Sequence, residues 1–299
     1  MDKSEAICIV MFLWGDQHYG LNDVNAIVAR VVDLARRDIE ICLITDRPRE
    51  GLHPHVRQLQ MPKRFCDANL QKSGHCQAKL SMFEHDLLPK GRRCIYIDID
   101  TLVLSDPTVA IDLCKDAGKI YMLPATAIPV GWAGRIIWRL SKGRKYPRGN
   151  SSVLVFTAGQ HGDIANTFIE LYKTKGIENC RELIVDDRFI SWKAYDRLAP
   201  MPGSFAASIR RVFMTRFRAL GWMRSILPHV AARRTRLALL TLDDPAVKIL
   251  RLADMAEGTW VSDQKGRKLK WSKDWMGKTY ETLTHPNSQI FSVKYGSGA

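Results

Sequence analysis

A chain of 299 residues that is 46% hydrophobic and 25% charged has enough apolar material for a substantial core, which excludes the disordered and membrane-embedded classes. Its formal net charge of +14 points to an anionic partner: a nucleotide, a nucleic acid or an acidic lipid. Seven cysteines, none in a CxxC pair or at zinc-like spacing, argue against a disulfide framework or a zinc module, and fit a reducing, cytoplasmic setting.

From the start of the chain, the apolar run 6–14 is stopped by Asp16, too short to span a bilayer and without a cleavage site, so it reads as a buried strand over 7–13. A helix is expected over 22–36, where Val24, Ile27, Val28, Val31 and Val32 recur at helical spacing behind an Asn22-Asp23 start. A second strand follows at 39–45, completing the strand–helix–strand signature of a parallel α/β sheet. A looser stretch with His53-Pro54-His55 and Pro62 leads to a helix expected over 77–88, and "RRCIYIDID" reads as the next strand. Short strands at 121–123 and 152–156, helices at 162–173 and 187–195, and a last core strand at 246–252 complete the expectation.

The segment 197–242 carries nine arginines, no lysine and no acidic residue. Within "SIRRVFMTRFRALGWMR", Ile209, Val212, Phe213, Phe217 and Leu220 share one face of a single helix, which suits a basic amphipathic surface over 205–236 lying on an anionic membrane or polymer.

The densest chemistry lies in "CIYIDIDTLVLSDP" at 94–107. Strand alternation points Asp98 and Asp100 to one side, where two like charges repel unless a divalent cation joins them. Hard oxygen ligands favour Mn²⁺ or Mg²⁺, which keep coordination sites for phosphate oxygens. The carboxyl end of a strand in an open α/β sheet is also where ligands bind.

"YIDIDTLVLSDP" resembles the Asp-x-Asp (DxD) metal site of glycosyltransferases with the GT-A nucleotide-sugar fold, in particular family 8 and its bacterial relatives. "LWGDQHYGLNDVN" at 13–25, "LITD" at 43–46, "QAKLSMF" at 77–83, "RGNSSVLVF" at 148–156 and "VDDRFISW" at 185–192 resemble further motifs of that group in the expected order. The resemblance implies a mixed, mostly parallel α/β sheet flanked by helices, with an arginine-rich helical extension. The expected organisation is a nucleotide-sugar-binding catalytic core at 1–200, the arginine-rich segment at 201–242, and a C-terminal region at 243–299 returning to the core.

The resemblance also implies roles. Asp98 and Asp100 would hold Mn²⁺ or Mg²⁺ on the donor diphosphate, with Asp98 also near the donor ribose or sugar. Trp14, Gly15 and Asp46 would border the base, Lys79 would reach the donor sugar or diphosphate, and Asn150 and Ser151 would line the sugar pocket. Asp186 or Asp187 would contact sugar hydroxyls or stabilise the reacting centre. Physically, a cation and a lysine in a dry cleft offset the charge of a departing nucleoside diphosphate. One departure stands out: the late metal-binding histidine of the family is missing from "AVKILRLADMAEG" at 246–258. Asp254 is the expected third ligand in its place, and His285 reads as a loop residue before Pro286.

The function this implies is metal-dependent transfer of a sugar from a UDP-linked or similar donor to a glycan or lipid-linked acceptor. Two alternatives compete. "IYIDIDTLVL" also resembles haloacid dehalogenase-type phosphatases, with Asp98 as nucleophile, Asp100 as general acid, and Asp186 and Asp187 as late Mg²⁺ carboxylates. The high charge and the basic–aromatic stretches 132–149 and 265–278 suit a non-enzymatic nucleic-acid-binding protein, although no recognised nucleic-acid fold signature accompanies them.

Overall fold

Seven successive apolar residues without a polar break form the first strand, Ile7–Leu13, and all seven are buried, as in a strand covered on both faces. The computed structural model describes residues 6–15, 19–71, 76–125, 128 and 130–290. Asp16, Gln17 and His18 of the first expected motif lie outside them. The chain divides into two compact units, one of residues 1–19, 37–97 and 110–201, the other of 20–36, 98–109 and 202–299.

Within the described residues the strands are β1 (Ile7–Leu13), β2 (Ile39–Thr45), β3 (Val56–Gln60), β4 (Arg93–Ile97), β5 (Thr101–Val103), β6 (Ile120–Pro124), β7 (Gly149–Thr157), β8 (Leu198–Pro200), β9 (Ala206–Ser208), β10 (Leu239–Thr241), β11 (Thr259–Ser262) and β12 (Lys268–Trp271).

The first unit is built on a seven-stranded sheet in the order β3-β2-β1-β4-β7-β6-β8. The neighbours from β3 to β4 are parallel, as are β6 and β8; β7 runs antiparallel to both strands beside it. This is the expected mixed, mostly parallel sheet. One face is covered by the helices Gly162–Lys175 and Asp186–Lys193, whose Ile164, Phe168, Phe189 and Ile190 join Cys8, Val10, Phe12, Tyr96 and Phe156 in a single core. Phe168 lies parallel to Phe65 at 6.1 Å and meets Phe189 edge-on at 5.2 Å. Pairing of β6 with β7 jumps from Met122 opposite Leu154 to Leu123 opposite Asn150, so Ser151 lies in an irregularity of the ladder. Such bulges re-aim side chains near functional sites.

The second unit holds the helix Leu21–Leu34, a three-stranded sheet in the order β5-β10-β9, the β11–β12 hairpin and several short helices. Leu240, Leu242, Val247, Ile249, Phe213, Trp271 and Trp275 form its core. The Gln289 side chain pins β5, accepting from the Val103 N–H at 3.2 Å and donating to the Thr101 carbonyl at 3.3 Å.

Four sequence expectations change. The run 77–88 forms a 3-10 helix only over Gln77–Phe83, and β3 was not anticipated. The run 246–252 is not a strand: it forms a turn at Pro245–Val247 and a helix at Ile249–Ala253, while the core strand in that part of the chain is β10. A short apolar run does not by its periodicity separate strand from helix. The arginine-rich stretch is not one helix but three, Ile209–Val212, Arg218–Ile226 and Pro228–Thr235, because Thr215 leaves the helix to pair with Lys268. Its apolar residues therefore part company, with Ile209, Val212 and Phe213 buried and Phe217 and Leu220 exposed. Fourth, β4 ends at Ile97, and Asp98, Ile99 and Asp100 form a turn closed by the Thr101 N–H on the Asp98 carbonyl at 3.0 Å. Strand alternation is thus not what sets the direction of the two aspartates.

Candidate active site

In the first unit, the residues expected to border a nucleotide base gather where β1 and β2 end. Gly15 has φ +61°, a conformation that favours glycine, and its N–H donates to Asp46 Oδ2 at 3.2 Å. Arg49 clamps both, donating to the Gly15 carbonyl at 2.9 Å and to Asp46 Oδ1 at 2.8 Å. Trp14 is held edge-on to Phe12 and donates from Nε1 to the Gln71 carbonyl at 3.1 Å. Arg49 was not singled out in the sequence, since "DRPRE" after a strand reads as an ordinary solvated turn.

Lys79 is buried on the 3-10 helix, with its ammonium 5.6 Å from the centre of the Tyr96 ring. Gln77, two residues earlier, donates to the carbonyls of Leu183 at 3.1 Å and Ile184 at 2.9 Å. The element that carries Lys79 is thereby fastened to the lead-in of the helix Asp186–Lys193. At the start of that helix Asp186 is buried and accepts a 2.6 Å hydrogen bond from the Ser151 hydroxyl. Asp187 pairs with Arg148 at 3.3 Å, and the Asn150 side chain accepts from the Ser152 N–H at 2.8 Å. Acidic residues in a first helical turn sit favourably against the helix dipole. The structure thus joins Gly15 with Asp46 and Ser151 with Asp186 by direct hydrogen bonds.

In the second unit, Asp100 is buried and its carboxylate is bonded to the ammonium of Lys248, the residue that opens the helix Ile249–Ala253. The Asp100 carbonyl accepts from the Leu242 N–H at 3.0 Å, which ties the turn to the end of β10. Asp98 and Asp100 supply the oxygen donors that Mn²⁺ or Mg²⁺ take, and such ions commonly use one or two carboxylates with phosphate oxygens and water filling the rest. Both are oxygen donors of the type such an ion takes, and the Asp100 carboxylate is engaged by the Lys248 ammonium. Asp254 does not join the pair: it is an exposed residue capping the end of the helix Ile249–Ala253, and among the described residues no three of histidine, cysteine, aspartate and glutamate gather around a metal position. His285 is an exposed loop residue, as expected, accepting from the Asn287 N–H at 3.2 Å. Nothing local in the sequence marks Lys248, because an ammonium is not a metal ligand and its partner Asp100 lies 148 positions away.

No protein-family model matches the sequence, and no curated protein does. Solved structures do match. The galactosyltransferase LgtC in complex with donor and acceptor sugar analogs matches with a TM-score of 0.53 at 13% identity, over 82% of this chain and 89% of that one. An active-site mutant of LgtC matches with a TM-score of 0.58 at 13% identity, over 97% and 96%. The bifunctional glycosyltransferase WbbM matches at 0.54 and 13% identity over 97% of this chain, which spans only 52% of WbbM.

This chain has the GT-A fold. In its sheet β2, β1 and β4 run parallel, Asp46 follows the last residue of β2, and the chain leaves β4 directly into Asp98. Neither a phosphatase nor a nucleic-acid-binding protein is among these structures.

Proposed function

We propose that this protein is a glycosyltransferase that moves a sugar from a nucleotide-diphosphate donor, UDP-linked, to a glycan or lipid-linked acceptor. The observation that carries the reading is the position of Asp98 and Asp100, which follow the last residue of β4, a central strand of a GT-A sheet. Ligands of open α/β folds bind beyond the carboxyl ends of such strands.

In this reading Trp14, Gly15 and Asp46, braced by Arg49, receive the base. Asn150 and Ser151 line the sugar, and Asp186, oriented by the Ser151 hydroxyl, meets sugar hydroxyls or the reacting carbon, with Asp187 steadied by Arg148. Lys79 supplies a buried positive charge to the diphosphate or sugar. Asp98 and Asp100 hold Mn²⁺ or Mg²⁺, which when bound neutralises the charge that develops on the leaving diphosphate. Lys248, bonded to Asp100, lowers the repulsion between the two carboxylates while no cation is there.

Peripheral contact with an anionic membrane, on its cytoplasmic side, is part of the proposal. Phe217, Trp222, Met223 and Ile226 are exposed on or beside the helix Arg218–Ile226, among Arg216, Arg218 and Arg224. Among the described residues no helix is long and apolar enough to cross a membrane.

Calorimetric titration of UDP with and without Mn²⁺ tests the core of the proposal, on the wild type and on Asp98→Ala/Asp100→Ala. Mn²⁺-dependent binding that disappears in the double variant supports it. Absence of binding to any nucleoside diphosphate overturns it.

A further inference from the structure

A cavity of about 200 Å³ opens in the second unit, lined by Arg211, Arg224, Arg233, Arg234, His229 and Gly203 among others. It shares no lining residue with Asp98, Asp100 or Lys248. Its most unusual member is Arg234, whose residue is only 6% exposed. The guanidinium lies over the Phe213 ring at 4.5 Å and donates to two main-chain carbonyls, those of Trp275 at 3.1 Å and Val212 at 3.0 Å. Its Nε has no hydrogen-bond partner among the described residues. A buried cation is ordinarily paired with a carboxylate, because desolvation of an isolated charge costs several kcal/mol.

Here the neighbouring charges have the same sign. Among the described residues none of Arg224, Arg233 and Arg234 forms an ion pair; Arg224 donates to the Arg211 carbonyl at 3.2 Å and Arg233 to the Gly203 carbonyl at 3.1 Å. The absence of a side chain at residue 203 permits this approach, since a Cβ there would stand 2.3 Å from Arg233 Nη2. No acidic residue occurs anywhere in 197–242, so the sequence supplies no local counter-charge. Burial and the charge of Arg224 together push the Arg234 guanidinium down to about 10. Neutral carbonyls thus hold several guanidinium groups around one small space.

We propose that this cavity binds a phosphate-bearing group, a phosphomonoester or diphosphate, presented either by a lipid headgroup or by a free phosphate compound. Planar guanidinium forks match phosphate oxygens, and charge-assisted hydrogen bonds to them are the strong ones. The volume suits a phosphate or diphosphate with its water and is below the 300–1,000 Å³ typical of sites for larger organic ligands. The unmatched charge is thereby assigned to a ligand. This inference goes beyond the sugar-transfer reading and does not depend on it.

The test uses the full-length protein in EDTA, which removes any divalent-cation route to the diphosphate. Inorganic pyrophosphate is titrated calorimetrically, and sedimentation is measured with phosphatidylcholine vesicles with and without phosphatidic acid. The probes are Arg224→Gln/Arg233→Gln, chosen because both side chains are less buried than Arg234, and Arg216→Gln, an exposed arginine of the same segment outside the cavity lining. Pyrophosphate affinity is expected to fall at least about tenfold in the double variant and to stay unchanged in Arg216→Gln. Phosphatidic-acid-dependent sedimentation that is lost in the double variant and competed by pyrophosphate assigns the site to a lipid headgroup. Pyrophosphate binding without such sedimentation assigns it to a soluble phosphate. No pyrophosphate binding, or an equal loss in Arg216→Gln, overturns the proposal.

Discussion

Lys248→Met is expected to tighten binding of Mn²⁺ to the nucleotide-free protein. In the wild type an arriving cation meets an Asp100 carboxylate already bonded to an ammonium. The Asp100 side chain is 11% exposed and that of Lys248 34%, so the pair is neither fully dry nor fully solvated. Unit charges about 4 Å apart interact by roughly 4 kcal/mol at an effective dielectric constant of 20. Solvent at the lysine brings this down toward the roughly 1 kcal/mol of exposed pairs. An intermediate figure of about 1.4 kcal/mol corresponds to a tenfold lower dissociation constant once the competing charge is gone. Calorimetric Mn²⁺ titrations of wild type, Lys248→Met and Lys248→Arg read this directly, with the arginine variant expected near wild type. Unchanged or weaker binding in Lys248→Met would refute the idea that the lysine competes with a cation for the aspartates.

Two further predictions concern the scaffold. His161 is buried, both its ring nitrogens lack hydrogen-bond partners among the described residues, and burial, followed by the charge of Arg197, pushes its pKa down to about 4. The folded state therefore holds the neutral ring while the unfolded chain protonates near 6.5, so stability is full above pH 6.5 and falls as pH drops toward 4, by on the order of 3 kcal/mol. Urea midpoints measured across that window should flatten in His161→Leu, and an unaltered acid limb would contradict the assignment. Gly149→Ala would place a Cβ 2.6 Å from Met122 Cβ, forcing β6 and β7 apart beside Asn150 and Ser151. Overpacking of this kind costs about 2 kcal/mol, and chemical denaturation showing no loss would mean the strands yield more easily than their packing implies.

Much of the sheet was legible because its signals are local. Ile7–Leu13 and Ile39–Thr45 are unbroken apolar, β-branched runs, and burial on both faces leaves such runs little choice but the interior of a parallel sheet. The helices Leu21–Leu34 and Gly162–Lys175 also follow from periodicity and fall within two residues of the expected ends. The irregular pieces were harder. "AVKILRL" has the composition of a strand yet forms a turn and a helix, since Asp244 caps the turn by accepting from the Ala246 N–H at 2.9 Å. The arginine-rich stretch looked like one amphipathic helix until the pairing of Thr215 with Lys268 broke it.

The amino-acid order by itself determined the apolar periodicities, the acid-free arginine stretch and the adjacency of Asp98 and Asp100, since each depends only on neighbours along the chain. Tertiary structure alone decided which charges meet. Lys248 reaches Asp100 across 148 positions, Asp186 reaches Ser151 across 35, and Arg234 is buried against carbonyls contributed by Val212 and Trp275. Electrostatic energy depends on distance through space and on burial, neither of which is written in residue order.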